Sequence, residues 1–278
     1  MNLLNIIQEI EEIDPEFQER INPRRAAIKN ITSFGSKVAL AALPFAMGTM
    51  FKKAYGQTTT GAAGVLNFAL TLEYLEYEFY RAAVASNVVP AGAALTAITK
   101  IRDHEFAHVN FLKVAISGAG ATAIAPLTAA NFDFTANGAF QDVFSNYDTF
   151  LAVACTFEDT GVRAYKGQAP NLIGTGPILT AALNIHSVEA RHASHIRQMR
   201  KARGVNIKPW ITGANDTGVT AVAASFEGED NITQAGVKIT DIQGVNGKIS
   251  FNAATECCDE PLTRAQVEAI VKPFFRTM

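Results

Sequence analysis

The chain is poor in several things that would fix its class at once. It has three cysteines and one tryptophan in 278 residues, and a net charge of only −2. Three cysteines (Cys155, Cys257 and Cys258) are too few for a disulfide framework. The adjacent pair Cys257-Cys258 lacks the two-residue gap and the matching His or Cys pair of a structural zinc site. Two ordinary loop thiols are the plain reading of that pair, with a strained vicinal redox pair as the alternative. The near-neutral charge, with no basic stripe among aromatics, disfavours a nucleic-acid partner, and none is expected. The apolar run from Val38 to Phe51 is fourteen residues, short of the about 20 needed to span a bilayer.

What the chain does have is apolar content, 48% of its residues, enough for a sizeable core. Residues 1–56 differ from the rest: a polar, charged start, then Arg24-Arg25-Ala26-Ala27-Ile28-Lys29, the apolar run, and Ala54-Tyr55-Gly56. Paired arginines ahead of a modest apolar stretch and a small-residue end resemble a twin-arginine export signal. A retained amphipathic arm is the alternative. The signal reading implies an exported protein of the periplasm or cell envelope with no stable membrane span after processing. Residues 1–56 hold 7 Lys/Arg and 6 Asp/Glu, so the remainder would carry −3.

Apolar residues recur at helical spacing over Gly61–Asn87, Ala94–Ser117, Phe140–Lys166 and Ile178–Arg203. Asn87-Val88-Val89-Pro90 stops the first helix, Gly118-Ala119-Gly120 the second, Gly167 the third and Gly204 the fourth. Residues 118–138 have turn chemistry without a period and read as a long connection. Short loop, long crossover, short loop describes an all-α four-helix bundle over residues 57–204. Residues 205–278 form a small C-terminal appendage. Thr220–Ser225, Val237–Ile242 and Lys248–Asn252 look like short strands, with Gly247-Lys248 as a turn. A final helix opens after Pro261, capped by Thr263 with Gln266 three residues on.

The chemistry lies in a duplicated motif. Glu105-Phe106-Ala107-His108 and Glu189-Ala190-Arg191-His192 both read Glu-x-x-His. Each is preceded by a Glu with a Tyr seven residues later, Glu73/Tyr80 and Glu158/Tyr165. Corresponding positions lie 85 and 84 residues apart. Residues three apart share a helix face, so each Glu-x-x-His pair can aim carboxylate and imidazole at one point. Glu73 and Glu158 would add a carboxylate from each of the other two helices. Four carboxylates and two neutral imidazoles balance two divalent ions, and carboxylates set in apolar stretches would be costly without them.

Neighbouring residues carry less. Tyr80 and Tyr165 sit on the ligand face two turns along, placed for hydrogen bonds to ligating carboxylates. Glu76 could substitute for Glu73, but Glu73, Glu76 and Glu78 cannot all face inward, and the repeated spacing to Tyr selects Glu73. Cys155 reads as a small core residue. His104, His186 and His195 lie near ligands without a counterpart in the other half. Asp103 and Asp159 are either outer partners of the site or solvated.

These motifs resemble the ferritin-like superfamily of carboxylate-bridged dimetal proteins, which includes ferritins, rubrerythrins and manganese catalases. The stretch Leu66–Tyr80 is similar to the first helix of the branch that includes desiccation-related proteins, and residues 261–275 to its closing segment. The resemblance implies a ferritin-like bundle and Glu73, Glu105, His108, Glu158, Glu189 and His192 as metal ligands. Carboxylates and imidazoles without thiolate suit two ions of iron or manganese. Such a pair acts on a small-molecule oxidant, peroxide or dioxygen, so a catalase-like or ferroxidase-like oxidoreductase is one expectation. No Cys-x-x-Cys supplies the electron-donor module of rubrerythrins, which disfavours sustained peroxidase turnover. A non-catalytic metal-binding or stress- and desiccation-related envelope protein is the other expectation. Homo-oligomerisation is left open.

Overall fold

The structure, a computed structural model, describes residues 59–214 and 216–276. The expected export signal therefore lies outside the described residues.

Four long helices carry the fold: α1 (Thr59–Ser86), α2 (Ala93–Gly118), α3 (Tyr147–Gln168) and α4 (Pro177–Ala202). Pairs α1/α2 and α3/α4 pack most closely, each joined by a short loop. Residues 119–146 link α2 to α3 with only one short 3-10 turn, Ala129–Asn131. That is the four-helix bundle with one long crossover expected from the sequence. Among the described residues, no helix is long and apolar enough to cross a membrane.

The boundaries follow local chemistry. Helix α4 starts with Pro177, whose missing N–H costs nothing in the first turn. It ends with Arg200 and Lys201 beside the carbonyl end of the helix dipole, and Gly204 takes the left-handed φ of +93° that stops the chain. Helix α3 begins at Tyr147, seven residues later than the periodicity suggests. Ala136, Asn137 and Gly138 all have positive φ, and Asn146 caps the helix by accepting from the Asp148 and Thr149 amides. Phe140 and Val143 are buried in turns before that cap. The apolar period thus runs on past the helix itself. At its other end α3 continues through Gly167 to Gln168.

The tail corrects three strand expectations. Thr220–Phe226 is a 3-10 helix, Phe251–Glu256 is α5, and the strands shrink to two hairpins of two residues a side. These pair β1 (Thr233–Gln234) with β2 (Val237–Lys238), and β3 (Gln243–Gly244) with β4 (Gly247–Lys248). Gly247-Lys248 is therefore a strand rather than a turn. The last helix, α6 (Arg264–Val271), has the expected capping box between Thr263 and Gln266.

The tail is lashed to α3. Phe274 meets the Phe157 ring edge-on, with centroids 4.7 Å apart. Arg163, 1% exposed at its side chain, pairs with Glu229 at 2.7 Å and donates to the carbonyls of Ser225, Glu227 and Glu260. Asp159 pairs with Arg197 at 2.7 Å, and Arg197 reaches Asp216 in the tail at 2.8 Å. Gly167 lies so close to Leu262 that a Cβ there would overlap its carbonyl oxygen. As a result every α3 residue from Phe150 to Tyr165 is buried.

Candidate metal centre

Each long helix contributes one carboxylate to the middle of the bundle: Glu73 from α1, Glu105 from α2, Glu158 from α3 and Glu189 from α4. All four are 0% exposed. His108 and His192 follow one turn after Glu105 and Glu189 and are also buried. The six sequence candidates therefore converge. They form two overlapping groups that could hold metal ions: Glu73, Glu105, His108 and Glu189; and Glu105, Glu158, Glu189 and His192. Within each group the donor atoms lie within 4.8 Å of one another. Glu105 and Glu189 belong to both.

The imidazoles present Nδ1 to the centre. His108 Nδ1 lies 3.1 Å from Glu73, 3.0 Å from Glu105 and 3.2 Å from Glu189. His192 Nδ1 lies 2.9 Å from Glu105 and 3.3 Å from Glu158. One ring nitrogen carries at most one proton, so it cannot satisfy three carboxylates. Several atoms stay unsatisfied. Glu105 Oε1, Glu158 Oε2, both Glu189 oxygens and His192 Nδ1 are buried and, despite these close approaches, make no hydrogen bond of proper geometry among the described residues. Buried polar atoms normally have partners, and a cluster of orphaned oxygens around two ring nitrogens fits a pair of cations.

Charge tells the same story. Burial, and then the neighbouring carboxylates, push Glu189 well above the usual carboxylate range and raise Glu105 to about 7. Burial opposes a charge on His192, but Glu158 and Glu105 outweigh it and raise the imidazole to about 11. His108 is raised further, against its burial, by Glu73, Glu105 and Glu189. Without cations, protons hold this cluster of negative charge together.

The tyrosines act across the halves. Tyr80 of α1 donates to Glu158 Oε1 of α3 at 2.5 Å. Tyr165 of α3 donates to Glu73 Oε1 of α1. Each occupies the outer oxygen of a carboxylate and leaves the other oxygen aimed inward.

Other neighbours divide. Half-buried His104 brings Nδ1 to 2.9 Å from His192 Nε2 and stacks on its ring, so it fixes that ligand's orientation. His186 meets the Val162 carbonyl and His195 is exposed. Asp103 pairs with Arg102, and Asp159 serves the Arg197 network rather than the centre. Cys155 is a buried core thiol that donates to Asp159 at 3.4 Å.

Glu76 is what sequence reasoning missed. Glu73, Glu76 and Glu78 are all buried, though as expected they do not all face the centre. Glu78 meets Arg81 at the bundle's edge. Glu76 instead lies by the centre: a Cβ at Gly161 would sit 3.2 Å from both Glu76 Oε1 and Glu189 Oε2. Burial, together with the Glu189 carboxylate, holds Glu76 well above its ordinary range. In the duplication Gly161 stands at the position equivalent to Glu76 and makes room for it, which only the packed helices reveal.

No match was found among curated proteins or solved structures. A family model for the ferritin-like domain matches residues 61–202, half of the chain, a span that takes in all four helices of the bundle. By that match, by its bundle and by its six converging side chains, this chain belongs to the ferritin-like domain family.

Proposed function

We propose that the bundle holds two ions, of iron or manganese, and that the pair performs redox chemistry on peroxide or dioxygen. The cluster of orphaned carboxylate oxygens around His108 Nδ1 and His192 Nδ1 carries this reading. Glu73 and His108 would hold one ion, Glu158 and His192 the other, and Glu105 and Glu189 would be shared. Two such ions, when bound, supply two-electron exchange with a small oxidant. The chain does the rest. Tyr80 and Tyr165 keep Glu158 and Glu73 in orientation, His104 steadies His192, and burial excludes bulk water. Glu76, buried beside Glu189, is placed to exchange a proton with a reacting oxygen. We further propose that residues 1–56 direct export to the periplasm or cell envelope, so that metal is loaded before transport.

Metal analysis of the purified protein tests the first proposal, with peroxide consumption and dioxygen uptake followed on the same sample. Two manganese ions with oxygen evolution support a catalase-like activity, and two irons with dioxygen uptake a ferroxidase-like one. Two ions with neither reaction support the metal-binding scaffold instead. Fewer than one ion per chain after loading with either metal sinks the dimetal reading. Fractionation of cells producing a tagged full chain, with Arg24 and Arg25 replaced by Lys in a control, tests the export proposal.

A further inference from the structure

A second feature of the bundle core lies beside the centre. A cavity of about 20 Å³ is walled by Ala69, Leu72, Leu112, Tyr165, Ala182 and Ile185 among others. Its place along the bundle is set by sequence spacing. Ala69 precedes Glu73 by four residues, Leu112 follows His108 by four, and Ile185 precedes Glu189 by four. At 1.5 Å per residue, four residues is about 6 Å, so the near wall of the cavity lies one helical turn from the ligand layer and the rest extends further along the bundle. Tyr165, whose hydroxyl donates to Glu73, joins the two layers.

Its chemistry is apolar. Beyond aliphatic and aromatic walls, the polar groups lining it are the Tyr165 hydroxyl and the Gln168 amide. The first donates to Glu73, the oxygen of the second accepts from Asn171 at 3.1 Å, and almost none of the surface facing the cavity is polar. A buried water needs two to four polar partners and at least about 10–15 Å³. The space suffices for one small molecule and the partners do not suffice for a water. Hydrogen peroxide, with two donors to satisfy, is disfavoured for the same reason.

We infer that this cavity is a dry docking site for a small apolar gas, dioxygen, with its near wall one helical turn from the metal centre. The inference rests on the dimetal reading for its consequence, but not for the binding itself. It separates the two oxidants that the ligand set leaves open: dioxygen can be stored beside the centre, whereas peroxide cannot use this space.

Xenon, apolar and monatomic, is the probe. In xenon-pressurised crystals of the full chain, a xenon atom is expected among Ala69, Leu112 and Ala182. It should be absent from an Ala182→Leu variant, with Ala69→Leu as the second filling variant should the first not fold. The filled variant should keep its metal content and melting temperature. Its reduced, metal-loaded form should react with dioxygen about tenfold more slowly, while peroxide consumption stays unchanged. An ordered water or no xenon in the wild-type cavity overturns the binding site. An unchanged dioxygen rate in the filled variant, or an equal slowing with peroxide, overturns its role. If the protein takes up no metal, the dimetal reading fails, and the xenon result still decides the cavity.

Discussion

The two halves of the bundle repeat one ligand pattern, yet only the second half is wrapped on its outer side. Helix α1 leaves Arg81 exposed and Thr71 and Tyr77 half-buried, whereas α3 is buried all round from Phe150 to Tyr165. Aligned by the duplication, the differences fall at particular positions. Glu78 in α1 makes a surface pair with Arg81; its counterpart Arg163 anchors Glu229 and three tail carbonyls. Ala82 in α1 corresponds to Gly167, where the Leu262 carbonyl approaches. Glu76 corresponds to Gly161 beside the centre. The six candidate ligands and the two tyrosines are alike in both halves, whereas Glu76 and Gly161 beside the centre, and the positions that meet the tail, are not.

The strongest test of the shared part is the pair of carboxylates common to both groups. Glu105→Ala/Glu189→Ala should abolish binding of both ions, whereas Glu73→Ala or Glu158→Ala alone should remove one, as read by metal analysis of loaded protein. Equal loss from all three variants would break the two-site assignment.

The unshared part is tested by stability. Arg163→Ala strands buried Glu229 and should cost about 3–5 kcal/mol in denaturant unfolding. Glu78→Ala, at the equivalent place, should cost under about 1 kcal/mol, because half-exposed Arg81 can return to water. Comparable costs would mean that the tail is not what distinguishes the halves.

Tyr80→Phe and Tyr165→Phe sharpen the cross-half hydrogen bonds. Each should weaken metal affinity by roughly 10–100-fold, Tyr80→Phe at the ion held by Glu158 and Tyr165→Phe at the ion held by Glu73. Isothermal titration of metal-free protein would separate the two. Gly167→Ala should cost about 1–3 kcal/mol by forcing Leu262 away, while Ala82→Gly should cost about 0.5–1 kcal/mol through helix propensity alone. Thermal unfolding checks both.

The smallest expected effect is one of pH. Glu105 is raised from 4.5 to about 7 in the metal-free fold. A raised carboxyl gives stability that is full below its unfolded value and lost as pH rises through its folded one. The metal-free protein should therefore melt at lower temperature at about pH 8 than at about pH 5. Bound cations replace those protons, so the gap between metal-loaded and metal-free melting should widen with pH. A gap that narrows would contradict the assignment of these groups as ligands.

Much of the bundle was legible because helix periodicity and the punctuation at Pro90, Gly120 and Gly204 agree with one another; Gly167 did not stop α3, which runs on to Gln168. The start of α3 was not, because Phe140 and Val143 keep apolar spacing in a segment that Ala136–Gly138 prevent from being helical. The tail was misread at Thr220–Phe226, where β-prone residues pack as a 3-10 turn against α3. Short segments take their conformation from what they dock on. At the centre, the six candidates could be read from duplication and spacing. Glu76 and His104 could not, since neither is repeated and each matters only through a neighbour on another helix.

The sequence by itself determined the helices, their order and the two sets of Glu, His and Tyr, because helical period and internal repeat are local properties. Only the tertiary structure decided that Tyr80 serves Glu158 and Tyr165 serves Glu73, that Glu76 lies beside Glu189, and that an apolar cavity adjoins the ligand layer. Those depend on which helix faces which, a choice made by packing the four apolar faces together and covering one of them with the tail.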